Sequence, residues 1–136
     1  MNYDAAAVSF LTQGVAELNA IRDSLIAAGL AANRISVDTA DVEGQDLRCH
    51  LRITRGANNA LLDIELTPVR PPGPVMEVFI SVYLFVNGTQ VGTTFIPDPA
   101  QLYMSLTGMD TMLGKYTSIV AMRPELITRL RTALGV

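Results

Sequence analysis

Apolar residues recur every three or four positions along the first part of the chain, between Asp4 and about Ala28. They are Val8, Leu11, Val15, Leu18, Ile21 and Leu25. This spacing predicts an amphipathic helix of about seven turns. Asp4 is a candidate N-cap, and Gly29 can adopt the left-handed conformation that ends many helices. The apolar stripe fits packing against a sheet, and a coiled-coil seam is the alternative.

From position 35 onward the period changes from helical to strictly alternating. A short alternation at 35–39 predicts a leading strand, and longer ones at 47–54 and 61–67 predict a β-hairpin with one apolar and one ionic face. The residues between them, 56–59, contain a glycine and two asparagines and are predicted to form its loop.

A four-residue loop fixes which residues of this hairpin face each other. It places Arg52 opposite Asp63 and His50 opposite Glu65 on the ionic face. Oppositely charged or hydrogen-bonding pairs at facing positions stabilise a sheet, so this register is the one predicted.

The stretch from Met76 to Ile96 predicts a second hairpin around the dipeptide Asn87-Gly88. Asparagine and glycine tolerate the positive φ values that a type I′ turn requires. With Val86 opposite Thr89, the predicted register continues through Leu84–Val91, Val82–Thr93 and Ile80–Phe95.

Two helices are predicted after the second hairpin. Asp98–Pro99 resembles an N-cap followed by proline at the first helical position, and this helix is expected to end near Gly114. The residues at 116–121 fit either a short strand or an extended connector. Pro124 is predicted to open the last helix, which Gly135 ends.

Together these elements predict one α+β domain spanning residues 1–136. It has an N-terminal helix, an antiparallel sheet of about five strands (two hairpins plus a short leading strand) and two C-terminal helices. Sequential strands usually pair, so a meander is expected. The helix–sheet–helix order resembles that of small dimeric secretion-chaperone-like folds, with a proline-rich connector at 68–74 where those folds insert a helix.

Composition excludes several classes of function. The net charge is −3, and the ten basic residues form no cluster, which predicts no binding of DNA or RNA. No apolar stretch approaches the ~20 residues that a membrane-spanning helix needs, so no membrane association is expected. The N-terminus lacks the features of a signal peptide and Cys49 is the only cysteine, which predicts a cytoplasmic protein without disulfides.

The ionic face of the first hairpin contains the only histidine, His50. Paired with Glu65 and flanked by Arg48 and Arg52, it could act as a general base beside an anion site. The alternative is a solvated ladder of ion pairs with no catalytic role, and this interpretation is favoured. Cys49 should point to the opposite face, so the sequence predicts no metal site, and it predicts no cofactor.

The remaining candidate is apolar surface, because hydrophobic residues make up 49% of the chain and charged residues only 17%. The candidate partner-binding residues are the aromatic side chains of the central strand and the methionines of the predicted helix after it: Phe79, Tyr83, Phe85, Met104, Met109 and Met112. Filling of an irregular core is the alternative for the methionines.

The function predicted from these features is non-catalytic. The chain is expected to be a small interaction or chaperone-like protein that binds an apolar protein segment as a homodimer. The alternative is a small hydrolase or ligand-binding enzyme that uses the His50/Glu65 pair with the flanking arginines. A structural subunit of a larger assembly is a third possibility.

The apolar surplus predicts that the protein is a homodimer in solution. Light scattering on a sizing column, repeated over a dilution series, should give twice the chain mass of 14.7 kDa at every concentration. A monomer would refute self-association. Heterogeneous or insoluble material would favour the structural subunit.

Overall fold

A computed structural model describes residues 3–42, 46–69, 77–91, 100–105 and 109–136. In chain order its helices and strands are α1 (Tyr3–Ala27), β1 (Ile35–Val42), β2 (Asp46–Arg55), β3 (Asn58–Val69), β4 (Glu77–Val86), β5 (Thr89–Gln90), β6 (Ala100–Ser105) and α2 (Met109–Leu134). A single turn of 3₁₀ helix, Ala32–Arg34, leads into β1.

The structure confirms an α+β fold with an antiparallel sheet. The strands β1 to β5 lie side by side in chain order, and β6 pairs with β4 beyond the end of β5. The leading strand and the N-terminal helix are present as predicted. Within the described residues the sheet has six strands, one of which, β5, has only two residues.

Both helices contribute buried side chains to one core on the same face of the sheet. From the helices come Leu18, Ile21, Leu25, Leu126, Leu130 and Leu134; from the sheet come Cys49, Leu51, Ile53, Leu62, Ile64, Val82 and Leu84. The strand residues follow the predicted period-2 alternation, and the helix residues follow the 3.6-residue period. Burial of each such leucine or isoleucine contributes about 1.5–3 kcal/mol, which makes this core the main source of stability.

The hairpin of β2 and β3 is tighter than the sequence predicted. Its turn contains only Gly56 and Ala57, and Arg55 pairs with Asn58. Gly56 has a φ of 58°, as the first central residue of a type II′ turn requires. The predicted four-residue loop is therefore wrong. Asn59 belongs to β3 and exchanges hydrogen bonds with Asn87, whose Oδ1 lies 2.9 Å from the Asn59 backbone nitrogen.

The shorter turn shifts the register of this hairpin by two residues. His50 lies opposite Asp63, and Arg48 lies opposite Glu65, so the predicted pairing of His50 with Glu65 is wrong. Since the side-chain period of a strand is two, the shift leaves every residue on its predicted face.

The second hairpin has the predicted turn but a shorter second strand. Asn87 and Gly88 have φ values of 51° and 81°, and Val86 pairs with Thr89, which confirms the type I′ turn and its register. The backbone nitrogen of Val91 also donates to the carbonyl of Leu84 at 2.8 Å.

The rest of β4 pairs with β6 rather than with the continuation of β5. Val82 lies opposite Ala100 and Ile80 opposite Leu102, so the predicted pairs with Thr93 and Phe95 are wrong. The helix predicted to begin at Asp98–Pro99 is wrong as well, because residues 100–105 form a strand. Leu102 and Met104 alternate with polar or aromatic residues, and the unpaired edge of β4 gives this alternation a partner. Residues 92–99 lie outside the described part of the chain.

A single C-terminal helix replaces the two that were predicted. It runs through Gly114, the ambiguous residues 116–121 and Pro124. Proline normally interrupts a helix, because it lacks the N–H that bonds to the carbonyl four residues earlier. Here the helix continues, and it contacts α1, β3 and β6.

An ion pair joins α1 to α2 immediately before this proline. Arg123 donates from Nε and Nη2 to the two carboxylate oxygens of Glu17, at 2.5 and 2.6 Å. The Glu17 side chain is only 5% exposed, and bidentate geometry of this kind is among the stronger hydrogen-bonding arrangements in proteins. The pair therefore holds α2 against α1 beside Pro124, which cannot donate a backbone hydrogen bond within the helix.

Replacing Arg123 with Met should lower the free energy of unfolding by about 1–2 kcal/mol, because Glu17 would remain buried without its partner. Adding Glu17→Gln to Arg123→Met should restore part of this loss, since the uncompensated charge is removed. Arg129→Met is the matched control: Arg129 lies 3.5 Å from Glu125 on the exposed side of α2 and should contribute less than about 0.5 kcal/mol. Urea unfolding measures all three, and equal losses for Arg123→Met and Arg129→Met would contradict the assignment.

Candidate binding face

The face of the sheet opposite the core carries both charged and aromatic side chains. We call it the outer face and define it by Arg48, His50 and Arg52 of β2, Leu61, Asp63 and Glu65 of β3, and Tyr83 and Phe85 of β4. These residues alternate with the core residues of the same strands. None of the buried helix side chains that the structure describes lies on this face.

One arginine serves two carboxylates at the centre of the outer face. Arg48 Nε lies 3.1 Å from Asp63 Oδ2 and 3.0 Å from Glu65 Oε1, and its Nη2 also contacts Glu65. The Asp63 side chain is 5% exposed, while that of Arg48 is 35% exposed. The cluster is therefore open to solvent on the arginine side and closed around the aspartate.

Burial raises the pKa of Asp63 to about 7, an effect that the neighbouring carboxylate of Glu65 reinforces and the charges of Arg48 and Arg52 oppose. Its Oδ1 atom is buried and has no hydrogen-bond partner among the described residues. Ionisation of such a buried carboxyl group is costly, and its Oδ1 atom can accept a further hydrogen bond.

His50 lies across from Asp63 and is 8% exposed. Its Nε2 is 3.9 Å from Asp38 Oδ2 on β1. Burial and the charges of Arg52 and Arg48 lower the pKa of His50, and the carboxylate of Asp38 opposes them. The imidazole is thus mainly neutral at pH 7.

Two hollows lie on either side of Leu61 and Phe85. The first, of about 350 Å³, is bounded by Arg48, Asp63, Glu65 and Tyr83 in addition to these two residues. The second, of about 430 Å³, is bounded by Arg52, Thr54 and Asn59 near the hairpin turns. The rings of Tyr83 and Phe85 are 6.3 Å apart and tilted by 34°, so the half-buried aromatic pair forms a wall beside the charged cluster.

The predicted site residues come together in an arrangement that differs from the prediction. The sequence was interpreted as placing an ionic catalytic site and an aromatic binding groove at separate locations, the groove being shared with the C-terminal helices. The antiparallel pairing of β3 with β4 puts Asp63 directly beside Tyr83, so the two sets form one surface. The described core residues of α2 lie on the other side of the sheet.

The remaining predicted residues contribute less to this surface. Arg52 lies opposite Leu61 and bounds the second hollow. The backbones of Phe79 and Met104 belong to β4 and β6, and those of Met109 and Met112 begin α2. The side chains of these four residues lie outside the described part of the chain, so their predicted role in partner binding stays a prediction.

Leu61 and Asp63 were predicted to lie on the ionic face of the first hairpin, but neither was predicted as a site residue. The sequence did contain a signal for Leu61, because it is an aliphatic residue that alternates with the polar residues at 59, 63, 65 and 67. Nothing in the sequence marked Asp63 as buried, since its environment comes from Arg48 and Tyr83 on the two adjacent strands.

The described residues give little support for a metal site, a reactive thiol or a membrane-spanning helix. Among them, no three of the His, Cys, Asp and Glu side chains are grouped so as to hold a metal ion. Burial and the charge of Asp63 raise the pKa of the Cys49 thiol to about 12, and its side chain lies in the core. Neither described helix has the length and apolarity to cross a membrane.

Comparison of the chain with protein-family models, with curated proteins and with solved structures finds no match in any of the three.

The Asp63 carboxyl group should make stability depend on pH. Between pH 3.8 and about 7 the native state retains a proton that the unfolded chain releases, so the free energy of unfolding decreases as pH rises through this window. Asp63→Asn removes this dependence, while the opposite contribution of His50 remains in both proteins. The variant's stability relative to wild type, measured by urea unfolding, should increase from pH 4 to 7 and level off above. A difference that does not change with pH would contradict the assignment.

Proposed function

We propose that this protein is a non-catalytic, chaperone-like interaction protein that binds an apolar segment of another protein across its outer face, and that it works as a cytoplasmic homodimer. One observation carries the proposal: a half-buried row of Leu61, Tyr83 and Phe85 lies on the face of the sheet opposite the buried side chains of both helices.

The composition of this row is unusual for a solvated sheet face. Antiparallel sheets with one free face normally alternate apolar residues inward with polar residues outward. Here the two strands at the middle of the outer face bring an aliphatic and two aromatic side chains together, and hollows lie on both sides of them. Large aromatic side chains flanked by depressions are typical anchors of protein interfaces.

The hydrolase alternative is less well supported by the same surface. It requires His50 to act with Glu65, whereas Glu65 binds Arg48 and His50 lies beside Asp63 and Asp38. With 8% of its surface exposed, His50 offers little access to a substrate. These contacts favour an ion-pair network that shapes a binding surface.

Display of random peptides against the immobilised protein tests the proposal. Wild type should enrich sequences with several apolar residues, and Phe85→Ser should weaken binding of the enriched peptides by about tenfold or more, because a central aromatic anchor is worth at least 1–2 kcal/mol. Leu61→Ser should act in the same direction. Fluorescence polarisation of labelled peptides gives the affinities.

Val8→Ser is the matched control, because Val8 is an aliphatic side chain on α1 that is 66% exposed and distant from the outer face. It should leave peptide affinity unchanged. Thermal unfolding of each variant separates lost binding from lost folding. Failure to enrich any peptide, or equal affinities for Phe85→Ser and wild type, would refute binding at this face.

A further inference from the structure

We propose that the hollow bounded by Arg48, Asp63, Glu65, Tyr83 and Phe85, which we call the acidic hollow, receives a lysine side chain of the bound protein segment. This inference rests on the proposed function, since it names the chemistry of the partner at the same face. It predicts that the segment is apolar with a basic residue at one position.

The charge balance of the acidic hollow favours a cation. Its two carboxylates, Asp63 and Glu65, share one arginine, Arg48, whose Nε is within 3.1 Å of both. His50, which lies opposite Asp63 on β2, is mainly neutral at pH 7 because burial lowers its pKa. The charge of Arg52 also acts on Asp63, but this residue bounds the second hollow and not the acidic hollow. With both acids ionised, one further positive charge brings the site to neutrality.

The hydrogen-bonding capacity of the acidic hollow also favours a cation that donates hydrogen bonds. Asp63 Oδ1 is buried and unpartnered among the described residues, although the Asp63 side chain borders the acidic hollow. An unmet acceptor at such depth costs free energy that a donor would recover. A lysine ammonium brings three donors on a compact head and can reach this acceptor and Glu65 together.

The walls of the acidic hollow fit the rest of a lysine side chain. Tyr83 and Phe85 present half-buried rings beside the carboxylates, and Leu61 adds an aliphatic surface. Lysine buries its four-carbon stem along apolar surface, and its charge is attracted to the faces of aromatic rings. An anionic ligand fits poorly, because Arg48 already donates to Glu65 and its Nε lies 3.1 Å from Asp63 Oδ2.

Titration of the ¹⁵N-labelled protein with n-butylammonium chloride tests the inference, because this ion reproduces the end of a lysine side chain. At pH 8, where Asp63 is mainly ionised, the amide signals of Leu61, Asp63, Tyr83 and Phe85 should shift and saturate. Equal concentrations of n-butanol and sodium butyrate, at the same ionic strength, should produce much smaller shifts.

Glu65→Gln should weaken n-butylammonium binding by about tenfold, because it removes one of the two attracting charges without changing the shape of the side chain. Phe85→Leu should weaken it several-fold through loss of the ring. Asp38→Asn is the matched control: it removes a carboxylate from the neighbouring strand, outside the acidic hollow, and should change affinity by less than about twofold. The amide spectra themselves report whether each variant is folded.

Equal shifts with n-butanol, or n-butylammonium affinity unchanged by Glu65→Gln, would overturn the inference. The peptides enriched by wild type give an independent readout, since replacing their lysine with norleucine should reduce affinity about tenfold. Peptides that bind with no dependence on lysine would overturn the inference and leave the proposed function standing. Binding of n-butylammonium without any peptide binding would refute the proposed function and the protein partner.

Discussion

Packing of both helices on one face of the sheet is the constraint on which the rest of this structure depends. It follows from the alternation of β2 and β3, which places Cys49, Leu51 and Ile53 beside Leu62 and Ile64 in one apolar layer. The six buried leucines and isoleucines of α1 and α2 match that layer. Because the described core residues of both helices pack on this side, none of them covers the outer face.

Specific polar contacts hold the two helices in this arrangement. Glu17 and Arg123 join α1 to α2 near Pro124, where the helix lacks one backbone hydrogen bond. At the C-terminal end of α2, Arg55 of β2 donates to the carbonyls of Leu134 and Gly135 at 2.7 and 2.5 Å. A cation at this position satisfies carbonyls left free by the helix end and opposes its dipole. Both contacts join segments distant in sequence, so neither could be read from local pattern.

Features determined by a few neighbouring residues could be predicted from the sequence, whereas features determined by distant contacts could not. The Asn87-Gly88 turn was predicted correctly because the positive φ values are a property of those two residues. The turn at Gly56 was predicted two residues too long, because Asn58 and Asn59 have loop propensity. In the structure they pair with Arg55 and Thr54 of β2 and also contact Asn87. A shift of two residues preserves the alternation, so each residue was still assigned to the correct face of the sheet. The predicted charge pairs were wrong, because the shift changes which residues lie opposite each other.

The same distinction explains the errors after residue 97. A proline following an aspartate normally starts a helix, yet residues 100–105 form a strand because β4 provides an edge with free hydrogen-bonding groups. Proline is also common at the first position of a helix, yet α2 continues through Pro124, where Arg123 binds Glu17 of α1. In both places long-range packing overrides a local preference, as it often does. The pairing of β6 with β4 could therefore not be predicted from local sequence patterns.

The outer face was the hardest part to predict, because it exists only once β3 and β4 pair. That pairing sets Asp63 beside Tyr83 and converts two separate patterns, an ionic ladder and an aromatic strand, into one surface. A buried carboxyl group with a pKa raised to about 7 and an unmet acceptor lowers stability at neutral pH, and an apolar residue at the same place would not. Groups that weaken a fold in this way are concentrated where proteins bind or react. The cluster of Arg48, Asp63 and Glu65 beside the aromatic wall is therefore consistent with the partner binding that we propose for this face.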